Sequence, residues 1–158
     1  RPSSYSFKDN DWAIVDWVAR VGGYCADLTR VVTIGKVDSH FHQLLQMVEE
    51  AQRLAETIIK EGIRAEEVDK VVRNFFKEKK VEEHFTHSLG HGVGIEIHED
   101  PRLGPKSETI LKKGMVVTVE PGIYFPNWGG IRLENLIVVQ EEGNEILDSL
   151  PLVFGEED

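Results

Sequence analysis

Residues 86–101, THSLGHGVGIEIHEDP, carry His87, His91 and His98 among three glycines and three acidic residues. Such a stretch can be a metal site, a hydrolytic site or a polar loop rich in imidazole. Spacings of four and seven let no regular element aim all three rings at one point. A helix would align His87 with His91, but Gly90, Gly92 and Gly94 disfavour a helix. In an extended chain His91 and His98 fall on opposite faces. An irregular, glycine-rich backbone must present them.

A second set of reactive groups lies inside apolar runs. Asp16 and Asp27 interrupt two strand-like stretches, and Glu120 and Glu134 interrupt two more. A turn centred on Val21 and Gly22 would set Asp16 directly opposite Asp27. A loop at 126–128 would set Glu120 opposite Glu134. Opposed side chains share a face, with Cβ atoms roughly 4.5–5.5 Å apart. Two like charges so placed repel, and burial worsens this. A cation between them reverses the sign. Four carboxylates match two divalent ions and poorly suit a single structural zinc, which prefers thiolate and imidazole. Oxygen-rich ligation with one or two imidazoles suits Mn, Fe, Co or Zn.

The elements that must position these groups follow from hydrophobic periodicity. Strands are predicted at 12–18 and 24–34. Asp38 or Ser39 then caps a helix whose stripe is Phe41, Leu44, Leu45, Val48, Ala51, Leu54, Ala55, Ile58 and Ile59, with Gly62 as its C-cap. A second helix at 65–80 buries Val68, Val71, Val72, Phe75 and Phe76. The charged residues of both helices read as solvated faces. Periodicity is lost from residue 84 through the histidine-rich stretch. Strands return at 115–120, 130–140 and 144–148. Strands joined by short turns imply an antiparallel sheet with helices packed on it, an α+β domain occupying 1–158 as a single unit.

Composition bounds the partners. The chain has 158 residues, 41% hydrophobic and 29% charged, and reads as one soluble globular domain. Its formal charge is -10, from 28 acidic and 18 basic residues, with no basic patch. That argues against nucleic acid and anionic membranes. No apolar run approaches a membrane span. The single cysteine, Cys25, excludes an intrachain disulfide, fits a reducing, cytoplasmic setting, and reads as a buried strand residue.

Taken together, Asp16, Asp27 within GYCADLTR, HSLGHGVGIEIHEDP, VEPGIYFP and GGIRLENLIVV resemble the pita-bread metallopeptidases. The resemblance is nearest to the Xaa-Pro dipeptidase (prolidase) and aminopeptidase P branch, and covers residues from about 8 to 150. It implies a curved antiparallel sheet with helices on its outer face. It implies that Asp16 chelates one metal, that Asp27 and Glu134 bridge both metals, and that His91 and Glu120 complete the ligand set of the second metal. His87 and His98 match histidines that contact substrate or the tetrahedral intermediate. Thr29, Tyr124 and Arg132 match positions beside the metals or the substrate. Two places depart from the pattern: Val18 replaces a usual glycine and Asn135 a usual aspartate, and tuning rather than loss is expected. The chain is also expected to lack the front of its catalytic domain, including a Pro-His-Gly motif, and to expose apolar surface there.

The implied activity is hydrolysis of an N-terminal Xaa-Pro bond in a peptide with proline at its second position. Two divalent ions (Mn, Co, Zn or Fe) would acidify water and polarise the carbonyl. His98, with His87, would hydrogen-bond the oxyanion. Glu120 would carry a proton to the leaving nitrogen, which is tertiary in this bond. The resemblance also implies a homodimer for the full-length protein. The competing readings are a methionine aminopeptidase-like enzyme, a metal-free creatine-hydrolysing type, and a non-catalytic binding module of the same fold. Both of the last two lack the full carboxylate set.

Overall fold

The computed structural model describes residues 4–155. Two long strands open it, β1 (Asp11–Val21) and β2 (Tyr24–Ile34), paired antiparallel. Their register corrects the expected one. Asp16 pairs with Thr29, and Asp27 with Val18. The cause is the turn, in which Gly22 and Gly23 both take positive φ, at 60° and 91°. Two such residues form the two-residue turn that matches strand twist, so the hairpin centre moves one residue along the chain. Asp16 and Asp27 therefore keep one face but sit diagonally rather than directly opposed.

Next come α1 (Ser39–Ile58) and α2 (Ala65–Glu78). Asp38 caps α1, its Oδ1 accepting the Phe41 amide at 2.8 Å. Gly62 is not the C-cap. The chain leaves the helix at Ile59, and the Asn144 side chain donates to the Glu56 and Ile59 carbonyls at 2.6 and 3.0 Å. Those bonds satisfy last-turn acceptors that a glycine motif would otherwise serve. Helix α2 stops two residues short of expectation because Lys80 takes a positive φ of 61°.

Short strands follow: β3 (Gly90–Gly92), β4 (Glu99–Leu103), β5 (Val116–Val119), β6 (Gly122–Phe125), β7 (Gly129–Arg132), β8 (Asn135–Val139), β9 (Asn144–Ile146) and β10 (Val153–Phe154). Among the described residues, these and the two long strands form three ladders, β1–β2–β10, β4–β3–β5–β8–β9 and β6–β7. Pairing is antiparallel except between β10 and β2. Two of these strands, β3 and β4, lie where periodicity was lost. The run 130–140, expected as one strand, breaks at Leu133 and Glu134 between β7 and β8. The register across the 126–128 turn is the expected one: Gly122 pairs with Arg132 and Val119 with Asn135. Glu120 and Glu134 thus face each other inside the gap between two ladders.

That gap joins the sheets. The Glu134 amide donates to Thr29 of β2 at 3.1 Å, and the Glu120 amide to Leu89 at 2.8 Å. A broken hairpin gives up two rungs and gains a rung to each flanking segment, satisfying the same backbone groups. The helices cover one face. Phe41, Val48, Ala51 and Ala55 of α1 and Val68, Val72 and Phe76 of α2 are buried with Val117, Val119, Ile131, Leu133 and Ile137 in one core. Each buried Val, Leu, Ile or Phe among them contributes roughly 1.5–3 kcal/mol by leaving water. Five expected positions differ: Leu54 is 37% exposed, and Leu45, Ile58, Val71 and Cys25 are half-buried. Outer strand β1 exposes Val15, Trp17, Val18 and Val21. Among the described residues, no helix is long and apolar enough to cross a membrane.

Candidate metal centre

Asp27 and Thr29 point inward from β2, Glu134 enters from the hairpin gap, and His91 is the middle residue of β3. One donor atom from each of Asp27, His91 and Glu134 lies within 4.8 Å of the others. His91 Nε2 is 3.7 Å from Asp27 Oδ2 and 3.5 Å from Glu120 Oε1. On the far side of the ring, Nδ1 meets the Gly92 carbonyl at 3.0 Å. A carbonyl only accepts, so the proton sits on Nδ1 and the Nε2 lone pair faces the carboxylates. That is the arrangement a metal-ligating histidine needs. Glycine at 90 lets β3 approach this closely, because a Cβ there would collide with the Thr118 carbonyl.

Hydroxyls hold the acids. Thr29 Oγ1 donates to Glu134 Oε2 at 2.6 Å. The buried Thr118 hydroxyl donates to Glu120 Oε1 at 3.2 Å and accepts the His91 amide at 3.0 Å. Arg30, fully buried on the other face of β2, donates from Nη1 to the carbonyls of both Thr29 and Glu134, and pairs with Asp148. Asp16 stands apart from the central trio. Its side chain is 48% exposed, and Arg132 Nη2 holds Oδ2 at 2.5 Å. Arg132 Nη1 also donates to the Tyr124 hydroxyl at 3.1 Å, while Nε lies 3.9 Å from Glu120 Oε2.

The electrostatics reflect acids packed together in a dry place. Burial pushes Glu134 up to about 8 and Glu120 up to about 7. Burial, then the Asp16 charge, raises Asp27. These acids would rather be neutral than repel, and a divalent cation would relieve both costs. The donor set fits such a cation: three carboxylates and an oriented imidazole, in a site that raises its own proton affinity.

The other two histidines line a cleft of about 810 Å³ with His91, Glu120, Arg102 and Arg132. The exposed His98 ring lies 4.2 Å from that of His91. Residues 93–98 are irregular, so the two rings share a side that an extended strand would deny them. His87 Nδ1 meets the Ser88 carbonyl at 2.8 Å and Nε2 meets the Tyr124 hydroxyl at 3.1 Å. Burial lowers the proton affinity of His87.

Several supporting residues were missed in the sequence. The buried Gln52 of α1 donates to the Val119 carbonyl at 3.2 Å, just before Glu120. Glu56 accepts from Asn135 Nδ2 at 2.7 Å, a bond that an ionised aspartate at 135 could not make. Asp69 of α2 is 1% exposed and pairs with Arg73 at 2.7 Å, so the charged residues of the helices are not all solvated. A readable signal existed. Gln52 follows Val48 by four, and Asp69 follows Ala65 by four, so both fall on the buried stripes.

The sequence matches metallopeptidase family M24 over residues 1–141. It is 42% identical over 133 residues to an Xaa-Pro dipeptidase of Pyrococcus furiosus, covering 84% of this chain and 38% of that protein. A dipeptidase structure from Pyrococcus horikoshii OT3 superposes with a TM-score of 0.92 at 39% identity, over 96% of this chain and 43% of that one. An X-Pro aminopeptidase structure from Thermotoga maritima MSB8 gives 0.91 at 42% identity, over 93% and 42%. The chain thus spans about two fifths of the length of these relatives. Its architecture is the pita-bread α+β arrangement, and the chain belongs to metallopeptidase family M24.

Proposed function

We propose that this chain carries the metal-binding part of a two-metal exopeptidase that cleaves N-terminal Xaa-Pro bonds. The observation that carries the reading is the approach of Asp27, His91 and Glu134 within 4.8 Å, with Glu120 3.5 Å from His91 Nε2. Resemblance to an Xaa-Pro dipeptidase at 42% identity supports the substrate class. In this reading Asp27 and Glu134 would be shared by two ions. His91 and Glu120 would hold one of them, and Asp16, at the exposed rim, would hold the other. Bound divalent ions would supply Lewis acidity and a water acidified toward neutral pH.

The chain's own groups do the rest. Glu120 lies in the cleft 3.5 Å from His91 Nε2, where a carboxylate would carry a proton to the leaving nitrogen. The proline nitrogen has no N–H and must gain a proton to leave, so this group is needed at the leaving atom. His98 is exposed in the cleft and can donate to an oxyanion. Arg132 and Tyr124 hold the wall between Asp16 and His87. Arg102 lines the same cleft, where a guanidinium suits the carboxylate of a short peptide.

The test is hydrolysis by the full-length protein after dialysis and reloading with Mn, Co, Zn or Fe. Cleavage of Xaa-Pro peptides, and not of peptides starting with methionine and lacking proline, is expected. No Xaa-Pro cleavage with any of the four metals would refute the reading.

A further inference from the structure

His87 reaches the cleft from residues 85–89, a segment that belongs to neither helix nor strand. Backbone groups in such a segment need partners from elsewhere. Two side chains of α2 provide them. Arg73 Nη1 donates to the Phe85 carbonyl at 3.3 Å and Nη2 to the His87 carbonyl at 2.6 Å. Asp69 Oδ1 accepts the Leu89 amide at 3.2 Å. The two also grip each other, Arg73 Nε to Asp69 Oδ2 at 2.7 Å and Nη2 to Oδ1 at 3.2 Å. The guanidinium stacks 4.5 Å over the Phe85 ring. A rigid planar fork thus binds the residue whose ring enters the cleft, and its carboxylate binds the backbone two residues on.

The geometry points to Asp69 and Arg73 as positioning residues for His87: a helix-borne clamp that fixes where the imidazole meets Tyr124 and the peptide. The inference rests on the peptidase reading above only for its effect on rate. The clamp acts on the backbone, so the ring is set from behind. Its Nε2 meets the Tyr124 hydroxyl at 3.1 Å, and that hydroxyl accepts from Arg132 at 3.1 Å. The Ser88 carbonyl accepts from Nδ1 at 2.8 Å. Without the fork, the segment loses its hold on two carbonyls, and the ring loses this single orientation.

The variants are Arg73→Met and the double variant D69N/R73M. The single variant leaves the buried Asp69 carboxylate without its cation and can unfold. The double variant removes both charges, and Arg73→Lys keeps the charge without the fork. Four quantities are read: cobalt ions bound per chain, kcat and KM on an Xaa-Pro peptide, and the histidine ring nitrogen resonances of zinc-loaded, 15N-labelled protein. D69N/R73M is expected to bind cobalt like wild type. Its kcat falls roughly 10- to 100-fold, the scale of a misplaced reacting group, and KM changes little. Arg73→Lys recovers part of that kcat. The His87 resonances lose their single Nδ1-protonated pattern. Wild-type kcat in the folded double variant would overturn the clamp, as would a kcat loss that only tracks lost cobalt. If wild type itself does not cleave the peptide, the peptidase reading fails alone. The ring resonances still decide the clamp, and an unchanged His87 pattern overturns it.

Discussion

Thr29 and Glu134 are bonded twice. The threonine hydroxyl donates to Glu134 Oε2 at 2.6 Å, and the Glu134 amide donates to the Thr29 carbonyl at 3.1 Å. One contact aims the carboxylate and the other fixes the strand that carries it. Thr29→Val keeps the shape and removes only the hydroxyl. Leaving a buried acceptor unmet costs about 1–3 kcal/mol. Urea unfolding of the metal-free variant should show a loss of that size, and the metal-loaded variant should bind its ions more weakly. An unchanged midpoint and unchanged affinity would mean that the hydroxyl holds nothing.

Glu120 and Glu134 keep protons to about 7 and about 8, against an ordinary 4.5, chiefly because they are buried. Between 4.5 and 8 the folded metal-free chain therefore holds more protons than the unfolded one. Its stability should fall as pH rises through that window. His87 works the other way, but its lowered proton affinity adds stability that is complete above its unfolded value of 6.5. The clean window is thus pH 6.5 to 8.5. Metal-free protein should lose urea resistance across it, and Glu134→Gln should flatten the slope. Metal binds the ionised acids, so metal-loaded protein should show the opposite trend. A metal-free midpoint that climbs from 6.5 to 8.5 would contradict the burial of these acids.

His91 and His98 lie with ring centroids 4.2 Å apart yet carry different expected roles. His91→Asn should lose metal, because its Nε2 is the imidazole donor beside Asp27 and Glu120. His98→Asn should keep full metal content and lose kcat by roughly 100-fold, the scale of an oxyanion donor. Metal analysis and turnover on the same preparations separate the two. Loss of metal from both variants would make His98 a ligand.

Phe76 is fully buried in the core between α2 and the sheet. Phe76→Ala should cost about 3–5 kcal/mol of unfolding free energy by leaving a cavity. Chemical denaturation checks it, and a cost below about 1 kcal/mol would show that the helix layer does not support the sheet.

The reach of the sequence differs from residue to residue. The facing of Glu120 and Glu134 is legible because a three-residue loop leaves little freedom in the register. The expected register of Asp16 and Asp27 is two residues off, because Gly22–Gly23 rather than Val21–Gly22 makes the turn. Strand β3 is three residues long, too short for any periodicity to mark it. The break at Leu133–Glu134 is hidden inside an apolar run that reads straight through it. Asp69, Arg73 and Gln52 are hidden in the sequence because their charge and polarity point to solvent. Gln52 and Asp69 lie on the buried stripes of α1 and α2, and Arg73 follows Asp69 by one turn.

The most direct measurement is an anomalous-difference map from a crystal of the full-length protein loaded with cobalt or manganese. Two peaks about 3.5–4 Å apart are expected, both bound by Asp27 and Glu134. Asp16 should complete one shell, and His91 with Glu120 the other, at about 2.0–2.3 Å. A single peak, or ions bound away from Asp27 and Glu134, would contradict a shared two-metal centre.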